Sequence, residues 1–150
     1  MFIDYLDTPI GVLEIEASTK AVTKVVFTQS NKRVTNSNEI TDSCKQQLVE
    51  YFNGERKTFE LSLQQQGTDF QKLIWNSLKQ IAYGKTVSYG YIATKINNPK
   101  AVRAVGAANG KNLIGIIVPC HRVIGSNGTL TGYAGGLDRK AWLLKHEGIE

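Results

Sequence analysis

Short runs in which apolar and polar residues alternate dominate the first part of the chain. Leu13, Ile15 and Ala17 alternate with acidic residues, and residues 25–27 combine β-branched and aromatic side chains. Both patterns are typical of short β-strands. The sequence therefore predicts strands at Phe2–Leu6, Val12–Ala17 and Val22–Thr28, and the polar residues 29–38 predict a loop after them.

A helical spacing of apolar residues replaces this alternation over residues 40–52, and Asn53-Gly54 follows as a helix stop. Residues 58–63 alternate again and predict one more strand. The polar residues 64–67 then interrupt the pattern. We interpret this break as the boundary between an amino-terminal α/β domain at 1–66 and a carboxy-terminal domain at 67–150, which together predict an α+β protein.

Helices are predicted to dominate the carboxy-terminal domain. Residues 68–71 have the pattern of a capping box. The residues that follow at helical spacing, and so form the predicted face of this helix, are Phe70, Leu73, Ile74, Ser77, Leu78 and Ile81. A second, short helix is predicted at 89–96, and a third runs from Pro99 to about Ala108, where Asn109-Gly110 is expected to stop it. The last two helices have the proportions of a helix-turn-helix.

The third of these helices is almost free of bulky side chains. Ala101, Ala104 and Ala108 would let its backbone come close to a neighbouring surface, and Arg103 is the long side chain that projects from it. Two interpretations remain open at this point. The helix lies against nucleic acid, or it packs tightly inside the protein with Arg103 in a salt bridge.

A reactive cysteine is the strongest chemical candidate. The apolar residues 116–118 predict a buried strand that delivers Cys120, which His121 and Arg122 follow directly. A thiol reacts as its thiolate, so nearby cations and a histidine that takes the proton would activate it. Glu147 could orient the imidazole of that histidine. The alternative is that Cys120 is a small core residue and His121 an ordinary surface side chain.

The charge distribution favours a polyanionic partner. The net charge of +5 divides into −2 over residues 1–66 and +7 over residues 67–150. A basic half beside a mildly acidic half suits nucleic acid. Charge alone also fits an ordinary solvated surface, and it does not name a reaction.

Several classes of function find no support in the sequence. Residues 1–8 carry no Lys or Arg and so do not resemble a secretory signal, and the longest apolar run is far shorter than the ~20 residues of a membrane span. Residues 84–86 imitate the end of a phosphate-binding loop but lack its first glycine. The Cys and His residues have no paired metal-ligand spacing. We expect a cytoplasmic protein without a metal, a cofactor or a membrane partner.

Several short motifs occur together, and in order, over residues 67–147. They are Gly67-Thr68-x-Phe70-Gln71, Tyr83-Gly84, Ser88-Tyr89-Gly90, Arg103-Ala104-Val105-Gly106, Asn112, Pro119-Cys120-His121-Arg122-Val123, Gly132-Tyr133-x-Gly135-Gly136 and Trp142-Leu143-Leu144. This set resembles the O6-alkylguanine-DNA alkyltransferases, also called methylated-DNA–protein-cysteine methyltransferases. The resemblance implies a winged-helix-like helix-turn-helix in the carboxy-terminal domain and, more loosely, a ribonuclease-H-like amino-terminal domain.

The resemblance also implies a reaction. Cys120 would accept an alkyl (methyl) group irreversibly, once per molecule, from O6-alkylguanine in DNA; activity on O4-alkylthymine is left open. His121, held by Glu147, would take the thiol proton through a water. Tyr89 would donate a hydrogen bond to the departing base, and Asn112 would tie the active-site loop to the recognition helix. The family needs no cofactor for this transfer.

DNA binding follows from the same resemblance. The damaged base must be flipped out of the duplex, and Arg103 matches the finger residue that enters the stack from the minor groove. We expect a monomer that binds double-stranded DNA. The other residues implied to contact substrate or DNA are Ala101, Ala104, Ala108, Arg122, Val123, Tyr133, Ala134, Gly135 and Lys140.

The chain departs from the family pattern at four positions. Leu113 and Ala82 stand where proline is usual, Asn97 replaces a glycine between two helices, and Ala134 replaces a serine of some members. Two other functions compete with the transfer reaction. A non-catalytic alkyltransferase-like protein would bind the lesion but lack the reactive cysteine, and a cysteine hydrolase would turn over.

Overall fold

The computed structural model describes residues 1–149, and their contacts divide the chain into two compact units that meet between Gln65 and Gln66. The first unit is a three-stranded antiparallel sheet of β1 (Phe2–Thr8), β2 (Gly11–Ala17) and β3 (Val22–Thr28), in that order. Helix α1 (Glu39–Phe52) packs on the sheet. Each of these elements was predicted from the sequence within one or two residues.

The core of the first unit lies between the sheet and α1. The alternation in β2 buries Leu13 and Ile15, and the antiparallel register places Ile15 opposite Val25 of β3. Leu48 and Tyr51 of α1 are fully buried. The helix begins with a capping box in which the Asn38 side chain and Thr41 satisfy each other's backbone N–H groups.

The strand predicted at 58–63 is wrong. Its apolar residues do alternate in exposure, but the segment pairs with β3 only at Leu63, which bridges Val22. Val22 N donates to Ser62 O and Gln64 N donates to Val22 O, both at 2.9 Å. A β-strand needs a ladder of hydrogen bonds over several residues, and this segment forms a bridge to β3 at one residue.

The second unit is mainly helical. Its helices are α2 (Asp69–Leu78), α3 (Tyr89–Lys95), α4 (Val102–Gly110) and α5 (Leu137–His146). A short 3₁₀-helix covers Cys120–Arg122. Two parallel two-residue strands, β4 (Val87–Ser88) and β5 (Val123–Ile124), join the segment before α3 to the segment after this 3₁₀-helix.

Two predicted helix boundaries need correction. Helix α2 has the predicted capping box but ends at Leu78 instead of Ile81, and it buries Trp75 while Leu73 is 47% exposed. Helix α4 begins three residues after Pro99, because Ala101 N donates to Asn98 O and Pro99 thus lies inside a turn. Helix α4 then continues through the Asn109-Gly110 pair that was expected to stop it.

The turn between α3 and α4 depends on Asn97. Its φ of 60° lies in the left-handed region, where asparagine is tolerated better than most residues other than glycine. Asn97 therefore adopts the conformation that this turn requires, at a position where the resemblance implies glycine.

The described part of the chain contains no helix that combines the length and the apolar character needed to cross a membrane.

Candidate active site

Two tight turns precede Cys120 in the structure. The sequence predicted a buried strand there, and that prediction is wrong. Ile117 N donates to Gly115 O at 2.7 Å around Ile116, whose φ is 68°. Cys120 N donates to Val118 O at 2.8 Å around Pro119. Both are γ-turns, and the one with positive φ is the rare, strained form. An isoleucine in this conformation costs on the order of 1–3 kcal/mol, so the surrounding structure must impose it.

The side chain of Asn112 imposes that conformation from inside the loop. Its Nδ2 donates to Ile114 O at 3.2 Å and to Val118 O at 2.9 Å, and its Oδ1 accepts from Ile114 N at 3.0 Å. These bonds join both ends of the strained turn. The resemblance implied that Asn112 ties the loop to the recognition helix; the bonds described here run from its side chain to the main chain of the loop.

A buried ionic array adjoins the cysteine. His121 Nε2 lies 2.7 Å from Glu147 Oε2, and both side chains are fully buried. Arg122 donates to both oxygens of Glu147, from Nε at 2.8 Å and from Nη2 at 3.1 Å. Its Nη1 donates to Ile81 O at 2.7 Å. Ile81 and Glu147 thus hold the Arg122 guanidinium in a buried position. The resemblance had placed Arg122 among the residues that contact substrate or DNA, and in this structure its visible role is to pair with Glu147.

Burial sets the protonation states at this site. It raises the pKa of the Cys120 thiol, whereas a hydrogen bond from Asn112 and the nearby charge of Lys140 act in the opposite direction. Burial lowers the pKa of His121, although Glu147 opposes that shift. Near neutral pH both directions favour the uncharged forms, a thiol at Cys120 and an imidazole at His121. Since Nε2 donates to the carboxylate, Nδ1 is the basic nitrogen.

Lys140 is a buried cation held by main-chain carbonyls. Its Nζ donates to Val123 O at 2.6 Å, to Thr131 O at 2.7 Å and to Gly132 O at 3.5 Å. Burial lowers the pKa of Lys140 to about 8, and the nearby Cys120 thiolate would raise it. The ammonium therefore cannot serve as an exposed phosphate contact, and it acts on the site through its charge.

Two tyrosines lie near these groups. The Tyr89 hydroxyl donates to Thr131 O at 3.0 Å, and the Lys140 ammonium lies 6.0 Å from the centre of the Tyr89 ring. Burial and the neighbouring Cys120 raise the pKa of Tyr133, which is therefore a neutral hydroxyl. Tyr89 would have to exchange the Thr131 carbonyl for a substrate before it could donate to a base.

The segment before α5 forms part of the same region. Arg139 donates from Nη1 to Gly135 O at 3.1 Å, and Ala134 is exposed. Gly136 has a φ of 95°, which only glycine adopts readily, and it precedes the first residue of α5. The Gly135-Gly136 pair thus directs the chain into the helix that carries Lys140.

The small residues of helix α4 and its cap differ in their exposure to solvent. Arg103 and Ala104 are exposed, and Ala101 is the half-buried residue that caps the helix. Ala108 is buried, and its carbonyl accepts a hydrogen bond from Trp75 Nε1 at 2.9 Å. The resemblance placed Ala108 among the residues that contact substrate or DNA; in this structure it is buried, and Ala107 lies on the exposed face.

The sequence interpretation missed Asn109 and Trp75. Asn109 appeared only as a helix stop, yet it is buried and its Nδ2 donates to Cys120 O at 3.4 Å. Trp75 was absent from the predicted helix face. The spacing of Trp75, one position after Ile74 and three before Leu78, could have indicated burial on the same face.

The second cysteine lies in the other unit. Cys44 is fully buried on α1, and burial raises its pKa to about 12. Within residues 1–149, no three or more His, Cys, Asp and Glu side chains are grouped to hold a metal ion.

The chain matches two models of known protein families. Residues 1–65 match "6-O-methylguanine DNA methyltransferase, ribonuclease-like domain", and residues 69–149 match "6-O-methylguanine DNA methyltransferase, DNA binding domain".

Curated relatives match along the whole chain. The methylated-DNA–protein-cysteine methyltransferase of Methanosarcina acetivorans is 47% identical and covers 99% of both chains. The constitutive enzyme of the same name from Bacillus subtilis is 46% identical and covers 95% of this chain and 93% of its own.

A solved structure has the same fold. The crystal structure of Mycobacterium tuberculosis OGT in complex with DNA superposes with a TM-score of 0.90 at 44% identity, covering 98% of this chain and 92% of its own. Both domains, the whole-chain relatives and the superposition agree, and the chain belongs to the 6-O-methylguanine DNA methyltransferase family.

Proposed function

We propose that this protein repairs DNA by transferring the alkyl group of O6-alkylguanine to the sulfur of its own Cys120. The observation that carries the proposal is the buried thiol beside the array of His121, Glu147 and Arg122. This array provides a neutral imidazole base whose orientation is fixed by a paired carboxylate. A structural core cysteine requires no such neighbours.

The reaction begins with loss of the thiol proton to His121. The thiolate then attacks the alkyl carbon, so that the sulfur–carbon bond forms while the bond from that carbon to guanine O6 breaks. The electron pair of the broken bond stays on guanine, which takes up one proton and so balances the proton that the thiol lost. A hydrogen bond from Tyr89 stabilises the negative charge that develops on the base.

The product limits each molecule to one reaction. A thioether has no acyl or imine bond that water could cleave, so Cys120 stays alkylated. The protein is consumed in proportion to the lesions that it repairs. A hydrolase with the same Cys-His pair would release its product and react again.

Access to the lesion requires base flipping. Guanine O6 is out of reach of a buried thiol while the base is stacked, so the nucleotide must rotate out of the duplex. Arg103 projects from the exposed face of α4, beside the small Ala104. We assign Arg103 to the space that the flipped base leaves, with α4 in the minor groove.

The two domains divide this work. Residues 67–150 carry the excess of positive charge and every residue assigned here to transfer or DNA contact. Contacts with phosphates do not depend on sequence, which suits a monomer that must examine all DNA.

Intact-mass measurement after incubation with duplex DNA containing O6-methylguanine tests the proposal. We expect one added methyl group per molecule, no gain for Cys120→Ser, and an unchanged gain for the control Cys44→Ala. Lesion loss over many turnovers without a mass gain would support the hydrolase. Tight binding of the lesion with neither mass gain nor lesion loss would support the non-catalytic lesion-binding protein.

A further inference from the structure

Asn109 connects helix α4 to the main chain of the nucleophile. It is the penultimate residue of α4, is 3% exposed, and donates from Nδ2 to Cys120 O at 3.4 Å. The preceding residue, Ala108, is anchored independently by Trp75. Asn109 thus makes a direct contact between the helix and the main chain of the nucleophile.

Two buried side-chain atoms among residues 1–149 have no hydrogen-bond partner: Asn109 Oδ1 and His121 Nδ1. The Cys120 carbonyl requires a donor, so Nδ2 must face it and Oδ1 is left as an acceptor. His121 Nδ1 is also an acceptor, because Nε2 donates to Glu147. Both acceptors are tied to Cys120. The side-chain amide that carries Asn109 Oδ1 donates a hydrogen bond to the Cys120 carbonyl, and His121 is the next residue in the chain.

A water molecule is the donor that fits two such acceptors. It has two O–H groups for the two acceptors and a lone pair that can accept from the thiol S–H. Buried water typically makes about three hydrogen bonds to groups that otherwise have no partner. Asn109 Oδ1, His121 Nδ1 and the Cys120 thiol provide that number.

We propose that Asn109 is a positioning residue for alkyl transfer: its Nδ2 fixes the Cys120 carbonyl, and its Oδ1 holds the water that carries the thiol proton to His121. This inference rests on the proposed function. When the S–H bond breaks, its proton passes to the water oxygen while one water proton passes to Nδ1. The water is regenerated, the imidazole becomes imidazolium, and the sulfur keeps the electron pair.

The other charged and titratable groups around this path come from separate elements. Glu147, at the end of α5, and Arg122, in the 3₁₀-helix, act on His121. Lys140 of α5 and Tyr133 from the preceding loop interact with Cys120. Replacement of Asn109 does not remove any of these four groups. A change in the apparent pKa of Cys120 can therefore be assigned to loss of the Asn109 side-chain amide.

The test measures the pH dependence of Cys120 reactivity in Asn109→Leu, which has a similar size and neither polar atom. Reaction rates with iodoacetamide and with free O6-benzylguanine are followed by intact mass between pH 6 and 10. We expect the apparent pKa of Cys120 to rise by about one unit, which slows both reactions about tenfold near pH 7. The rates should converge with the wild type at high pH.

Trp75→Phe is the matched control, because it removes the other buried hydrogen bond at the end of α4. We expect it to lower stability without moving the pH profile. Asn109→Ser, which keeps a smaller acceptor, should shift the profile less than Asn109→Leu and extends the test if the leucine variant does not fold.

Each outcome has a distinct meaning. If the rate of Asn109→Leu depends on pH in the same way as the wild-type rate, the role of Asn109 is overturned, even when the variant is slower at every pH. The proposed transfer reaction is unaffected by that outcome. A wild-type chain that gains no alkyl group from O6-methylguanine DNA overturns the proposed function itself.

Discussion

Among single residues, Glu147 does the most to organise the site. Its carboxylate accepts hydrogen bonds from His121, from two nitrogens of Arg122 and from Gly84 N. Because the ion pair with Arg122 is buried, loss of one partner leaves a charge without compensation. The same residue therefore contributes to stability and orients the base.

We expect Glu147→Gln to lower the free energy of unfolding by about 3–5 kcal/mol, the usual cost of breaking a buried ion pair. Urea unfolding measures this loss. Glu50→Gln is the control, because its pair with Arg56 lies at the surface and contributes little. Equal losses in the two variants would contradict the structural role of Glu147.

Lys140 predicts a pH effect on stability. Its pKa is about 8 in the folded protein and 10.5 for an ordinary lysine, so between these values the unfolded chain binds more protons. Stability from this group must therefore rise with pH in that window. We expect the unfolding free energy of the wild type, relative to Lys140→Met, to be higher at pH 9.5 than at pH 7.5. A difference that does not change with pH would contradict this prediction.

At the scale of secondary-structure elements, the turn between α3 and α4 depends on one residue. Asn97→Ala forces alanine into the left-handed region, which we expect to cost about 1–2 kcal/mol. Asn97→Gly should equal or exceed the wild type in stability, because glycine adopts this conformation without a steric penalty. Thermal unfolding of the two variants distinguishes these effects, and equal melting temperatures would show that the turn tolerates any residue.

Sequence patterns predicted the elements whose local preferences agree with their packing. The strands β1–β3, the Asn53-Gly54 stop of α1 and the capping box of α2 belong to this group. The strand predicted before Cys120 failed, because residues 116–118 favour extended backbone, whereas the side chain of Asn112 and the bond from Val118 N to Ile114 O hold a turn there. The motif around Cys120 indicated its chemistry, but the buried positions of Arg122 and Asn109 depend on contacts distant in sequence.

At the scale of the whole molecule, charge and reactivity lie in the same domain. Residues 67–150 hold a net charge of +7, whereas residues 1–66 hold −2. Attraction to phosphates therefore acts on the part of the chain that carries both Arg103 and Cys120. DNA binding and chemistry can still be separated experimentally, because a free base needs no flipping.

We expect Arg103→Ala to slow repair of O6-methylguanine in duplex DNA by at least tenfold and to leave the reaction with free O6-benzylguanine nearly unchanged. Arg103 is exposed on α4 and makes no contact assigned here to the thiol. Single-turnover rates by intact mass measure both reactions, with Lys145→Ala on the exposed side of α5 as a control. Similar losses on both substrates would contradict the role of Arg103 in base flipping.

The burial of Cys44 gives the chain a practical use as a dosimeter. The protein has two cysteines, and the thiol on α1 is sealed in the core with a pKa of about 12. After exposure to damaged DNA and subsequent unfolding, a colorimetric reagent should therefore find one sulfhydryl in a spent molecule and two in an unused one. The mean number of sulfhydryls per molecule in a sample therefore reports how many lesions were repaired, and the unmodified Cys44 thiol serves as the internal reference.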